Sequence, residues 1–554
     1  MKKRLLSGLL AAFLIVPALS GCTQPKETVE AATTASQLPT ATPQPTEAPT
    51  PEPTPTPEPT PSVITIGAIG DIMMMAAQIN GAYNKETGTY DFSRSFVGVA
   101  DQFRSVDLMC GNFECTLAGD AAGYSLKKQD DERVDTFNAP DSIIDTLKDI
   151  GFDFLSTGNN HALDRQMPGL LRTLDILDQK GIYHTGTARS NEERDKPLII
   201  DGGGKVTVDG GGKGTVFVID TKGATLRGMH LKGSGDSHDS DDTCLNVRGD
   251  HHVVEGNTID DCLFGIDLKQ ANHNVIRENR ISSKPFELGV RGDGLRLWYS
   301  HHNLIEQNEI VDSRDMVAWY ANNNIYRGNI GKRSRYSIHF MFAKDSIVEG
   351  NSFYDNAVGV YLMYTERIHL RNNIISHATG ATGMGLGFKE SSDSEVVDNE
   401  IIYCAIGVGS DLSPFEPDTT ILFKNNRFAF NGIAIRFTSE LGGNILKGNI
   451  FEGNLTDVIQ MGRGVADKNQ WHGNYFADYQ GFDRNGDGIG DTPYELYSYA
   501  DQIWIETPAA QFFKTSPVLE LLDFLERLAP FSSPELQLRD PAPRFGKPER
   551  TAKS

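Results

Sequence analysis

Ile347-Val348-Glu349-Gly350-Asn351-Ser352-Phe353 is followed 22 residues later by His369-Leu370-Arg371-Asn372-Asn373-Ile374-Ile375. In each, an apolar residue stands three places before an asparagine and another two places after it. The asparagine recurs at 257, 279, 308, 329, 351, 373, 399, 426, 449 and 474, at spacings of 22, 29, 21, 22, 22, 26, 27, 23 and 25. Nine of the ten have an apolar residue two places on, and Gly331 is the exception. A period near 22 with short alternating segments is the signature of a β-solenoid. Stacked asparagine side chains can bond to one another and satisfy buried amides, with coils about 4.8 Å apart. A sandwich with scattered asparagines would not put ten in register. The solenoid is expected over residues 201–495, as a right-handed parallel β-helix.

The remainder of the 554-residue chain has other signatures. A formal charge of −22 argues against a nucleic-acid footprint, which needs a basic face. Beyond Ser20 no apolar run approaches the length of a membrane-spanning helix. Six cysteines over this length do not make a disulfide scaffold. Residues 1–22 read as a targeting segment: Met1-Lys2-Lys3-Arg4, an apolar stretch from Leu5 to Leu19, then Leu19-Ser20-Gly21-Cys22. That ending resembles a bacterial lipobox, which implies lipid on Cys22 and an extracytoplasmic body tethered to a membrane surface. The Pro/Thr-rich residues 23–62 form a semi-rigid spacer.

Residues 63–200 are expected to be an α/β module. Apolar runs end in Asp71, in Asn112-Phe113-Glu114 and in Asn159-Asn160-His161, and segments 141–150 and 168–180 have helical spacing. Alternating strands and helices predict a sheet with a site at its strand ends, where Asp, Glu, Asn and His suit a divalent metal. Gly-Asp-Ile-Met (70–73), Gly-Asn-Phe-Glu (111–114), Phe-Asn-Ala-Pro (137–140) and Asn-Asn-His-Ala-Leu-Asp (159–164) resemble the CapA family of poly-γ-glutamate capsule synthesis, itself similar to metallophosphatases. By that resemblance Asp71, Glu114, Asn160 and His161 are the first half of a metal site. The family's second-half histidine segments have no counterpart here. The module is therefore expected to be a truncated one, with one side of its sheet uncovered and no catalytic residues assigned.

Gly-Asp-Gly-Leu-Arg-Leu-Trp-Tyr-Ser (292–300), Tyr-Ser-Ile-His-Phe-Met-Phe (336–342), Gly-Val-Tyr-Leu-Met-Tyr (359–364) and Gly-Asn-Tyr-Phe-Ala-Asp-Tyr (473–479) resemble the NosD family. The likeness runs from about residue 197 onward. It implies an extracytoplasmic accessory protein for maturation of nitrous oxide reductase, with an ABC transporter as partner and copper supply as its role. Two alternatives stand beside it: a CapA-type metal-dependent enzyme, and a polysaccharide-binding or processing β-helix.

Register places the candidate residues. Counting back from the asparagines, eleven gives Leu297, Ala318, Phe340 and Leu362, and nine gives Tyr299, Tyr320, Phe342 and Tyr364. Both sets are expected inside. Ten back gives Trp298, Trp319, Met341 and Met363, and twelve back gives Arg296, Val317, His339 and Tyr361, expected outside by period-two alternation. Gly385, Gly387, Gly407 and Gly409 are expected to continue that face as a groove. The strip admits two readings. One is a docking face for a partner protein through Trp298, Trp319 and Tyr361. The other is a transient copper(I) site at Met341, Met363 and His339, since copper(I) takes soft donors. Met316 and Met384 are expected in the core, His251-His252 and His301-His302 in solvent, segment 236–242 as a charged loop, and Cys244, Cys262 and Cys404 buried. Asp483, Asn485, Asp487 and Asp491, spaced with glycines, resemble a calcium loop that lacks the usual glutamate at its twelfth place. In the C-terminal part, residues 496–554, segment 516–528 is expected to be an amphipathic helix capping the solenoid.

Overall fold

Buried asparagines set the frame of the larger part of the molecule. The computed structural model describes residues 62–63, 65–125, 136–194, 196, 198–460, 468–498, 535–548 and isolated positions between 516 and 528. Cys22 and all of the spacer before Ser62 lie outside the described residues.

The described residues between Leu198 and Phe476 wind into a right-handed parallel β-helix of about 13 turns. Each coil contributes two short strands to one wrapped sheet and one strand to a flat eleven-stranded sheet running from Phe217–Asp220 to Thr456–Gln460. The ladder asparagine sits between the two short strands, as Asn351 does between Ile347–Glu349 and Ser352–Tyr354. Its amide group donates to the next asparagine's Oδ1 and to a carbonyl of the coil before: Asn351 Nδ2 reaches Asn373 Oδ1 at 2.9 Å and Tyr326 O at 3.0 Å. The backbone N–H of Asn351 also donates to Asn373 Oδ1, at 3.0 Å. The same links run without interruption from Asn257 to Asn474. A chain turning sharply inside a closed coil must bury backbone groups, and this ladder pairs them. Where Gly331 replaces the usual apolar residue, Ser337 and Phe353 fill the space that a Cβ would take.

The ladder ends on a carboxylate. Asp540, fully buried, accepts from the Asn474 backbone at 2.9 Å and from its Nδ2 at 2.8 Å. Asp540 closes strand Glu535–Asp540, which pairs antiparallel with Tyr494–Ser498. This strand pair terminates the ladder by giving the last asparagine the acceptor it needs; most of segment 516–528, expected to be a capping helix, lies outside the described residues. Of the helix, Leu521, Phe524, Leu525 and Leu528 are helical and exposed, while Leu519 and Leu522 lie outside the described residues.

The α/β module has a parallel four-stranded sheet in the order Ile66–Ile72, Leu108–Phe113, Phe152–Ser156, Tyr183–Thr185. Helices Ser142–Asp149 and Gln166–Lys180 follow the second and third strands. Met109, Phe113, Phe152 and Leu155 point into a core with Ile143, Ile144 and Leu147. The alternate residues Ile66 and Leu108 remain 45% and 36% exposed, and Tyr183 79%. Val63, expected to begin the first strand of this sheet, instead pairs together with Ser62 against Val206 and Thr207 of the solenoid strand Leu198–Asp209.

Candidate functional site

The flat sheet separates core from surface one residue at a time. Leu297, Ala318, Phe340 and Leu362 are fully buried, while their neighbours Trp298, Trp319, Met341 and Met363 form a strip on the outer face. Backbone pairing sets Trp298 beside Trp319, Trp319 beside Met341 and Met341 beside Met363. The expectation for Tyr299, Tyr320, Phe342 and Tyr364 is corrected. Their φ values are 47°, 50°, 54° and 56°, and this left-handed turn ends the alternation that would have taken them inside. They lie on the surface as a stack, with centroids 4.8, 5.0 and 4.8 Å apart.

His339 and Met363 come together on this strip, with His339 Nε2 3.1 Å from Met363 Sδ. Trp319 Nε1 lies against Met341 Sδ one coil earlier, and the rings of Trp298 and Trp319 meet edge to face at 5.4 Å. Tyr336 packs against the His339 ring at 4.9 Å and stacks on Tyr361 at 5.5 Å. On the other side His339 Nδ1 is 3.6 Å from Asp315 Oδ2. Burial acts to raise the Asp315 pKa, but hydrogen bonds to His339 and Arg335 outweigh it and hold the carboxyl below its usual range. A carboxylate behind one ring nitrogen fixes the proton there and leaves the other nitrogen's lone pair free. Asp315 was not singled out in the sequence, since its partners Arg335, Tyr336 and His339 all belong to the next coil.

Earlier coils fill the same face with ion pairs. Arg296 bonds to both oxygens of Asp267 at 2.9 Å and reaches Asp241 at 3.0 Å; Arg314 holds Asp293 at 2.9 and 3.1 Å. Segment 236–242, expected to be a charged loop, thus supplies a partner to the buried lattice. Later coils differ from the expected groove. Gly387 and Gly409 do face out, but Tyr361 lies over the first and Met384 over both, while a Cβ on Gly385 or Gly407 would strike the next coil's carbonyl. Met384 is corrected from core to surface, packing beside Ile406, Ile433 and Ile459. Met316 is buried, as expected. His252 is corrected from solvent to core, where Nδ1 accepts from Ala224 N at 3.0 Å. Cys244 and Cys262 are buried and joined by a disulfide, and burial pushes the Cys404 thiol up to about 11.

In the α/β module the strand ends gather Asp71, Asn112, Glu114, Asn159, His161 and Asp164. Asn112 Nδ2 donates to Asp71 Oδ1 at 2.7 Å, and Asn159 Nδ2 donates to Phe113 O at 2.9 Å. His161 Nδ1 is 2.9 Å from Asp164 Oδ2, and its Nε2 is 3.9 Å from Glu114 Oε1. Glu114 is only 7% exposed and its Oε2 has no hydrogen-bond partner among the described residues. Burial, then the neighbouring Asp71, raises its pKa. Asn160 is exposed. Asn159 and Asp164 do the bonding in its place, and both lie in the 159–164 motif. In the calcium-like loop, Asp483 accepts from the amides of Gly486 at 2.7 Å and Gly488 at 2.9 Å, Asp491 from Arg484 N at 2.9 Å, and Asp487 from Asn485 Nδ2 at 2.9 Å. Among the described residues no three of His, Cys, Asp and Glu already surround one point as metal ligands would. No described helix is long and apolar enough to cross a membrane.

These arrangements have counterparts. Residues 283–481 match the family model described as periplasmic copper-binding protein (NosD). That stretch of the solenoid is NosD-like. Residues 206–333 match the right-handed β-helix region, and 65–240 match the bacterial capsule synthesis protein PGA_cap, a span that runs past the α/β module into the first coils of the solenoid. A probable ABC transporter binding protein NosD of Pseudomonas aeruginosa is 26% identical over 364 residues, 60% of this chain and 78% of that protein. One of the same description from Stutzerimonas stutzeri is 35% identical over 120 residues, 21% of this chain and 27% of its own length. Among solved structures, the A-module of the mannuronan C-5 epimerase AlgE6 of Azotobacter vinelandii aligns at a TM-score of 0.39 and 14% identity, covering 71% of this chain and 97% of the module. At that level of similarity nothing about function passes to this chain.

Proposed function

We propose that this protein is an extracytoplasmic accessory protein of the NosD type that holds copper(I) on its outer strip and hands it on during maturation of nitrous oxide reductase. An ABC transporter acts beside it, and lipid on Cys22 keeps it at the membrane surface. The observation that carries the reading is the His339 Nε2 to Met363 Sδ approach of 3.1 Å, with Met341 paired to Met363 on the neighbouring strand. Two thioethers and an imidazole are the donor set that copper(I) prefers. Their surface position suits cargo that must leave again, and Trp298, Trp319 and Tyr361 flank it as contacts for a recipient. The description of the matching family and the names of both relatives support the reading.

The test is competition for copper(I) against a chromophoric chelator under anaerobic conditions. Met341→Leu with Met363→Leu should weaken binding at least tenfold and leave the thermal midpoint in place. Unchanged copper(I) binding with lost partner binding would leave the strip as a docking face alone.

A second reading is a CapA-type metal-dependent enzyme of capsule polymer synthesis. It is favoured by the unpartnered Glu114 Oε2 between Asp71 and His161. It requires metal-dependent hydrolysis by the full chain that Asp71→Ala abolishes.

A further inference from the structure

Three histidines stand one above another on the flank of the solenoid, apart from both clusters. His251, His273 and His302 hold the same place in consecutive coils. The amide of each donates to the carbonyl just before its counterpart in the next coil: His251 to Asn272 and His273 to His301 at 3.1 Å, His302 to Asn322 at 3.2 Å. Their φ values of 62°, 57° and 57° put all three in one left-handed turn conformation, which aims the three side chains alike. The rings are stacked, with centroids 5.2 and 4.9 Å apart and planes within 11° and 3° of parallel. All three residues are exposed, and none of the three side chains has a hydrogen bond or ion pair among the described residues. Nearby histidines are occupied: His301 Nδ1 accepts from Asn322 N at 3.1 Å, and His230 pairs with Asp260 at 2.8 Å.

We propose that this imidazole column is a binding site for a borderline divalent cation such as copper(II) or zinc(II). Neutral imidazole is the commonest protein ligand for such ions, at about 2.0–2.1 Å. Two nitrogens on one ion therefore stand at most about 4 Å apart. The stack starts near 5 Å, so a tilt of two exposed rings closes the gap with no movement of the backbone. His273, in the middle, joins either neighbour, and the column takes one ion through His273 with His251 or His302. The net charge of −22 concentrates cations around the molecule. This site is independent of the thioether strip, because imidazoles take the divalent ion and thioethers select copper(I).

The experiment titrates the full chain with copper(II) alone, without reductant, and records its electron paramagnetic resonance spectrum. Expected is one tight ion whose spectrum shows coupling to two imidazole nitrogens and whose binding weakens as acid is added, because protons compete with the ion for the ring nitrogens. His273→Asn should weaken it at least tenfold. The same column carries an asparagine at Asn323 with φ 58°, so the turn accepts this residue. His251→Asn with His302→Asn, which leaves His273 alone, should weaken it equally and serves if the first variant folds poorly. Met341→Leu with Met363→Leu should leave copper(II) binding unchanged. Parental copper(II) affinity and an unaltered spectrum in either histidine variant would overturn the proposal.

Discussion

The carboxylate cluster of the α/β module and the His–Met strip of the solenoid are built on opposite plans. In the module, Asp71, Glu114 and His161 come from the ends of three different strands, and each is placed by loops that differ from one another. On the solenoid, His339, Met341 and Met363 are successive choices at fixed positions of one repeat. The first plan gives buried groups whose charges are costly: Glu114 is shut away beside another carboxylate. The second gives half-exposed groups over a scaffold whose own polar groups are already paired by the asparagines. In the repeat, chemistry can therefore change on the outside without touching what holds the coils together.

Breaking the ladder should have the largest effect. Asn351→Ala removes the acceptor for both the Asn329 amide group and its backbone N–H, and strips a donor from Tyr326 O. Each buried group so orphaned costs about 1–3 kcal/mol. The solenoid should lose about 3 kcal/mol in chemical denaturation, against less than about 0.5 kcal/mol for the exposed Asn160→Ala in the module. Equal losses would dissolve the contrast.

Next in size is the loop 483–491, which we read as a structural calcium site. The Asp483 carboxylate already draws three amides of the loop round itself. If the ion is bound at a hundred times its dissociation constant, chelation should remove about 2.7 kcal/mol and lower the thermal midpoint of the full chain. An unmoved midpoint at saturating chelator excludes the ion.

The smallest effect separates the two regions by pH. Arg333, Arg367 and Lys344 hold Asp312, Asp345 and Glu366 below their ordinary values of 3.8, 3.8 and 4.5. Such groups stabilise the fold above their unfolded values, and that contribution is lost as pH falls through the lowered ones. His301 adds to this from a higher pH: burial lowers its pKa from 6.5, so protonation below that value works against the bond it accepts from the Asn322 backbone. Glu114 has the reverse sign. Its raised pKa favours the protonated form, so its contribution is present at low pH and lost as pH rises through the raised value above 4.5. Hydrogen exchange at pH 7, 5 and 3.5 should show protection falling in the solenoid first. Glu114→Gln should firm the module at pH 7 and change nothing at pH 3.5. Earlier loss in the module would reverse the comparison.

The coil follows from the order of the amino acids alone. Ten asparagines at a period near 22 require a stack, since only a stack lets each amide meet the next, and alternation then divides Phe340 and Leu362 from Met341 and Met363. The α/β order of the module is legible in the same way, because apolar runs and helical spacing are local signals. Whatever depended on a change of backbone direction or on a distant partner emerged only in the folded chain. The left-handed turn put Tyr299, Tyr320, Phe342 and Tyr364 outside, and it stacked three histidines drawn from three successive coils. Asp540 became the end of a ladder whose last asparagine is 66 residues away. Asp315 came to stand behind His339, a residue of the following coil. Period-two arithmetic holds only while the strand stays extended, and a pairing between coils leaves no trace in the neighbours of either residue.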